Sequence, residues 1–308
     1  MSIIQDVSAP VSIGAGARSR TVSADLGGRS LTGALRSLAA NPRMTVGALI
    51  ILLVTAMSIA APLIVQHPPD FQDPTYRLAS PSAAYPLGGD SFGRDTFSRL
   101  LHAGRVSLAV AVLSMAITIV VGVVVGVVAG YCGGWVDRIL MRLTDLVLVF
   151  PTFFLLILVV ATFGRSVALL IFMIGITSWP TNARVVRAQI LGLREYDYVV
   201  AARVSGASAT WIVVRHLVPQ MMPIIIASAT IRIANNILVE SGLSYLGLGV
   251  QPPTATWGNM VADGVGFIRQ AWWLVGIPGA AIFLVVLAFN LFGEGLRDQL
   301  DPRWRSAR

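Results

Sequence analysis

The residues best placed to do chemistry in this chain lie inside an apolar run. Arg232, Asn236 and Glu240 recur at i, i+4 and i+8, so a helix would carry a cation, an amide and a carboxylate on one face, with Asn235 beside them. Arg232 would stand ~16 Å along a helix begun at Met221, at 1.5 Å per residue. If that run crosses a bilayer, a charge at such depth faces a cavity or a partner rather than lipid. Two readings stay open. Arg232 and Glu240 form an internal neutralising stripe with a packing role, or Asn235, Asn236 and Glu240 line a path for a solute or close its outer end.

Covalent or metal chemistry has no comparable footing. His67, His102 and His216 are dispersed, and Cys132 is alone, so an intrachain disulfide and a cysteine-rich metal site are both excluded. No catalytic residue and no metal ligand is assigned. All 23 basic residues are Arg. A Walker A loop needs a Lys to reach nucleotide phosphates. No cofactor is therefore expected in this chain, and any ATP, with its Mg2+, would be bound by another subunit.

The elements that must position these residues follow from composition. Of 308 residues, 55% are hydrophobic and 12% charged, about half the charge of a soluble domain. Apolar runs of spanning length cover residues 46–65, 106–130, 146–163, a stretch from Val167 onward, 221–249 and 272–292. The fourth must continue through Asn182 to Leu191, with Arg184 and Arg187 snorkelling toward the cytoplasm. The reading is an all-α, polytopic membrane protein with six transmembrane helices. Residues 1–41 read as a mobile cytoplasmic tail, 42–105 as the first span with an extracytoplasmic segment, and 106–308 as the main transmembrane domain.

Charge sets the orientation. With both termini inside, sixteen Arg fall on the cytoplasmic side and six outside, and Arg232 stays in a span. The net charge of +8 is scattered over span ends, which fits topology better than nucleic acid. Gly122, Gly126 and Gly130 form a small-residue stripe for close helix approach, within the chain or to a partner. Asp137, Arg142 and Asp145 read as a solvated cytoplasmic helix end or as a contact to another subunit. After Gly247 and Gly249, Pro252-Pro253 stops a straight helix, and Trp257, Trp272 and Trp273 suggest an interfacial belt.

Residues 195–219, EYDYVVAARVSGASATWIVVRHLVP, are too polar for a span and too rich in helix formers for a turn. They read as helices over 195–205 and 208–218, broken at Gly206, with Pro219 ending the second. Such a pair suits insertion into a groove on a partner, or an amphipathic position on the membrane surface.

This segment resembles the cytoplasmic loop of ABC-importer permeases, whose pattern is E-A-A-x3-G-x9-I-x-L-P. Ala201, Ala202, Gly206 and Pro219 fall on their places, while Val200 stands for the Glu, His216 for the Ile and Val218 for the Leu. Further stretches are similar to the dipeptide, oligopeptide and nickel branch. They are YPLGGDSFGRDTFSRLLHAGRVSL from Tyr85, GYCGGWVDRILMRLTD from Gly130, ESGLSYLGLGVQPPTATWGN from Glu240 and NLFGEGLRDQLDPR from Asn290. The resemblance implies the type I importer permease fold, as the second permease of a pair. Val200, Ala201, Ala202, Gly206, Ala207, His216 and Pro219 would then belong to a coupling helix docked on an ATPase. The implied partners are a homologous permease, two ABC ATPases, an extracytoplasmic peptide-binding protein and membrane lipid, with no nucleic acid. The implied place is the bacterial cytoplasmic membrane, and the implied cargo a dipeptide or oligopeptide. Nickel is the alternative solute; a secondary transporter would need coupling-ion sites and repeats that the sequence does not display.

Overall fold

The computed structural model describes residues 41–300. Apart from Asn41, the tail read as mobile and cytoplasmic lies outside the described residues, as does the end of the last signature, beyond residue 300. The described chain is helical, and its single β-bridge joins Gly89 to Asp95. Helix α1 covers Pro42–Ile59 and α2 Ala61–Ile64; α3 is Thr96–Cys132, α4 Gly134–Val149, α5 Thr152–Phe163 and α6 Val167–Leu193. Helix α7 is Asp197–Val204, α8 Ala209–Ile212, α9 Val218–Tyr245, α10 Trp257–Val265 and α11 Trp273–Leu300. Five helices are long and apolar enough to cross a membrane, and the bent pair α4–α5 makes a sixth crossing if it counts as one span.

Local chemistry fixes the ends. Asn41 accepts from the Arg43 N–H at 3.1 Å and Pro42 fills the first turn of α1, where its missing N–H costs nothing. Asp95 caps α3 through the Phe97 N–H at 3.0 Å, which starts this helix ten residues before its apolar run. Thr256 and Asn259 form a reciprocal capping box on α10.

Two elements depart from the sequence reading. The third run is not one helix: it breaks at Phe150-Pro151, and α4 and α5 meet at 77°. Proline disfavours a helical conformation in the residue before it, and Phe150 is extended (φ −80, ψ 125). Pro219, in turn, ends nothing. Residues 213–217 widen into a π-turn, with the Val218 N–H bonded to the Val213 carbonyl, and the chain runs on into α9. The wider turn accommodates a residue that has no N–H and crowds the carbonyl four places back.

Helix α6 is central, with half of its most apolar stretch buried against other helices, against 17% for α1. It packs along α3 through the glycine stripe. A Cβ on Gly126 would stand 2.6 Å from the Ala183 carbonyl, one on Gly122 2.8 Å from Asn182 Cβ, and one on Gly130 2.8 Å from Ile190 Cβ. Thr118 spans the same contact by donating to the Gly175 carbonyl at 3.0 Å. The stripe therefore serves packing within the chain. Helix α1 closes on α11 in the same way, Gly47 against Ala288 and Phe292, and Gly295 against Met44.

Candidate functional site

Three polar assemblies stand out: a hairpin at one end of the bundle, a stripe along α9, and a charged cluster at the opposite end.

In the hairpin, α7 ends in a Schellman motif. Gly206 adopts φ +82 and donates to the Arg203 carbonyl at 3.1 Å, while Ala207 donates to Ala202 at 3.0 Å. Nothing lies within 4 Å of a Cβ built on Gly206, so its left-handed backbone, not crowding, calls for glycine here. Ser208 then caps α8 through the Trp211 N–H. The buried side of the hairpin, Val199, Ile212 and Leu217, joins Val127, Val186 and Ile190 at the ends of α3 and α6. The outward side is apolar too: Val200 is 44% exposed, Val204 83% and Trp211 49%, and Ala201 is exposed beside them. Ala202, Ala207 and Pro219 are half-buried.

His216, at the motif's Ile position, is packed by rings. Its centroid lies 4.8 Å from Trp211, edge-on, and 5.8 Å from Tyr198. Burial pushes the Tyr198 phenol above its ordinary range. Glu195, at the start of the hairpin, accepts from Arg194 at 3.0 Å and stays largely exposed. Arg194 also donates to the Gly130 carbonyl. Of the α4 charges read above as solvated or subunit-facing, the two acids bind α6 and Arg142 is exposed: Asp137 accepts from Nε and Nη2 of Arg187 at 2.5 and 2.6 Å, and the half-exposed Asp145 accepts from Arg184 at 2.5 Å. These bidentate and short contacts neutralise the two arginines read as snorkelling.

Along α9 the structure divides the predicted stripe. Glu240 is fully buried, accepting from Ser244 at 2.7 Å and from Ser107 of α3 at 3.2 Å. Ser107 accepts in turn from the Trp257 N–H, and the Trp257 indole donates to the Leu100 carbonyl at 3.2 Å. Trp257 is therefore core, 1% exposed, and not part of an interfacial belt. Asn236 is equally sealed, donating to Ser114 at 2.9 Å and to the Ala111 carbonyl. Arg232 and Asn235 lie elsewhere. Asn235 is exposed, and Arg232 is half-buried with no acceptor for its Nε. No Arg232–Glu240 ion pair forms, which corrects the internal-stripe reading. Eight residues separate the two, about 12 Å along the helix.

The third assembly escaped the sequence reading. Asp90 and Arg94 pair at 2.5 Å in the segment before α3, and Arg99 lies 3.6 Å from Asp90. Asp263 of α10 approaches both cations, at 3.5 Å from Arg94 and 3.8 Å from Arg99. Burial raises the Asp263 pKa, and Arg99 and Arg94 hold it down. Only the nearness of Asp90, Arg94 and Arg99 within ten residues was legible; their partner is more than 160 residues away. One spelling also needs its context. Gly89-Asp90-Ser91-Phe92-Gly93 fits G-x-S-x-G, but a nucleophile elbow requires a strand-to-helix turn. Here Gly89 and Gly93 are loop residues pressed against the Tyr76 and Asp73 carbonyls, and no bonded His stands by Ser91.

A bundle with five helices long and apolar enough to cross a membrane, six if the bent pair is one span, and an apolar hairpin at one end has the build of a multi-pass membrane protein. Residues 122–306 match the family of binding-protein-dependent transport system inner membrane components, and residues 31–81 match the N-terminal transmembrane domain of oligopeptide transport permease C. The chain belongs to this family of ABC-transporter permease subunits of the inner membrane. It is 38% identical over 273 residues to the dipeptide transport system permease protein DppC of Alkalihalophilus pseudofirmus, covering 89% of this chain and 90% of the relative. It is 40% identical over 281 residues to the oligopeptide transport system permease protein OppC of Escherichia coli, covering 90% and 93%. A probable D,D-dipeptide transport system permease protein of Escherichia coli is 38% identical, covering 86% and 89%.

Proposed function

We propose that this chain is the second permease of an importer for dipeptides or oligopeptides, coupled to its ATPases through residues 195–219. The observation that carries the reading is the hairpin itself. Its inner side is anchored on α3 and α6, and its outer side presents Val200, Ala201 and Val204, which no described residue covers. An apolar helix face held rigidly at a bundle end fits a groove on a partner. Closure of two ATPase subunits around bound ATP and Mg2+ would move α7, and the continuous α8–α9 rod would carry that motion into the membrane. This chain has no Lys for a phosphate loop, so the nucleotide sites belong to those partners.

The peptide cargo rests on the relatives, whose names specify dipeptide and oligopeptide transport. A homologous permease, an extracytoplasmic peptide-binding protein and lipid complete the assembly. Arginine placement supports a cytoplasmic position for the hairpin and both termini. Arg232 and Asn235 face the path, while Asn236 and Glu240 lock its outer end.

The test is uptake in a strain lacking this chain, complemented with wild type or Gly206→Pro. Proline holds φ near −65° and removes the N–H that bonds Arg203, so this turn cannot form. Labelled short peptides should enter with wild type but not with the variant, which should still insert into the membrane. Normal uptake by Gly206→Pro would remove the coupling role. Rescue of nickel uptake in place of peptide uptake would keep the architecture and overturn the cargo.

A further inference from the structure

Arg232 poses a problem of charge. It lies in the middle of the 28-residue α9, half-buried, with its Nε sealed from solvent and without an acceptor. Among the described residues no carboxylate stands within 4 Å of its guanidinium. The one acid of its own helix, Glu240, is sealed and satisfied by serine hydroxyls from α3 and α9. A cation at this depth is costly unless something neutralises it. The counter-charge therefore comes from outside the described chain.

The neighbourhood states what kind of group it is. Ser228 and Asn235 lie four before and three after Arg232, on the same side of the helix. Ser228 also lines a cleft between α3, α6 and α9 whose other polar member is Asn182. Asn182 is 6% exposed, and its Nδ2 has no acceptor. Two donor atoms thus lack an acceptor: the Asn182 amide of α6, facing the cleft that Ser228 lines, and the Arg232 Nε, one turn further along α9 from Ser228. The remaining cleft residues are apolar: Ile119, Val123, Val185, Val186, Ile224 and Ile225. A guanidinium with amide and hydroxyl groups one turn to either side on its helix, next to an apolar cleft, suits a carboxylate at the end of a chain of peptide carbonyls.

We propose that Arg232, with Asn182, Ser228 and Asn235, forms a mid-membrane station that receives the terminal carboxylate of a peptide in transit. This rests on the peptide reading above and adds a residue-level specificity to it. A cation without its own counter-ion takes a carboxylate transiently and releases it when the bundle changes state. It also discourages the passage of peptides that lack a free C-terminus.

The experiment compares a free-acid tripeptide with its C-terminal amide in cells expressing wild type, Arg232→Lys, Arg232→Gln or Arg232→Glu at equal complex abundance. Loss of one charged contact should lower free-acid uptake about tenfold in Arg232→Gln, further in Arg232→Glu and least in Arg232→Lys. Amide uptake, where wild type supports it, should change little. Where wild type rejects the amide, the ranking Lys above Gln above Glu on the free acid supports the station. Equal losses in Gln and Glu, equal losses on both peptides, or reduced co-purification with the other subunits would overturn it and assign Arg232 a structural pairing. Failure of wild type to import either peptide would overturn the cargo reading itself, and the station with it.

Discussion

Glu240 and the hydroxyls around it separate two costs of altering a buried acid. Ser244 and Ser107 both donate to its carboxylate, and Ser107 also accepts from Trp257, so one side chain ties α9 to α3 and, through Ser107, to α10. Glu240→Ala strands both serine donors, at about 1–3 kcal/mol for each buried group left unmade, and opens a cavity. Glu240→Gln keeps an acceptor oxygen. Ser244 and Ser107 reach different oxygens of the carboxylate, so Gln satisfies one of them, and thermal unfolding in detergent should rank wild type above Gln and Gln above Ala. Equal melting would mean that these hydrogen bonds contribute little. The same residue shows the limit of periodicity. Spacing on a helix places Arg232, Asn236 and Glu240 on one face, yet the face turns by about 40° every four residues. Over eight residues it carries Glu240 into the bundle and leaves Arg232 at its edge.

At the scale of elements, the long apolar runs were readable because bilayer thickness demands them, and the fourth span does continue through its arginines to Leu193. The hairpin break was readable too, since a left-handed turn calls for glycine. The bend at Pro151 carried a signal that hydropathy averages away. The π-turn before Pro219 carried none, because it depends on how α8 continues into α9. The ion pairs of Asp137 and Asp145 with α6 were hidden by sequence separation. The glycine stripe offers a direct check on element packing. Gly126→Val would bring a side chain to within 2.6 Å of the Ala183 carbonyl and 2.7 Å of Val186 Cβ, which over-packing experience puts at about 1–3 kcal/mol. Gly192→Ala, at a helical site with open space around it, should be neutral or gain up to about 1 kcal/mol of helix propensity. Melting temperatures of the two variants should move in opposite directions or differ clearly; a matched loss would deny that α3 and α6 are held by close approach.

Across the whole molecule, the end of the bundle away from the hairpin is tied together by a four-member charge cluster. The segment before α3, α3 itself and α10 meet at Asp90, Arg94, Arg99 and Asp263. Arg99→Met should loosen this end, by less than the roughly 3–5 kcal/mol that breaking a fully sealed pair costs, because the Asp263 side chain keeps 37% exposure. The loss should depend on pH, and its sign follows from linkage. Burial already holds the folded-state pKa of Asp263 above its ordinary value, with the arginines opposing. Its contribution is complete below the ordinary carboxylate range and is lost as pH rises through the folded value. Without Arg99 that folded value climbs further, so the penalty at neutral pH grows and acidification relieves it. Burial raises Asp95 too, but the groups opposing it there are the Phe97 and Ser98 N–H groups and His67, not Arg99. Arg99→Met should therefore melt lower than wild type at pH 7.5, with part of the gap closed at pH 5. Its residues 66–95 should become more accessible to added protease in detergent. Adding Asp263→Asn should abolish the pH-dependent part of the gap. A gap that does not change with pH would show that Arg99 supports this end by packing alone, and that Asp263 is not its electrostatic partner.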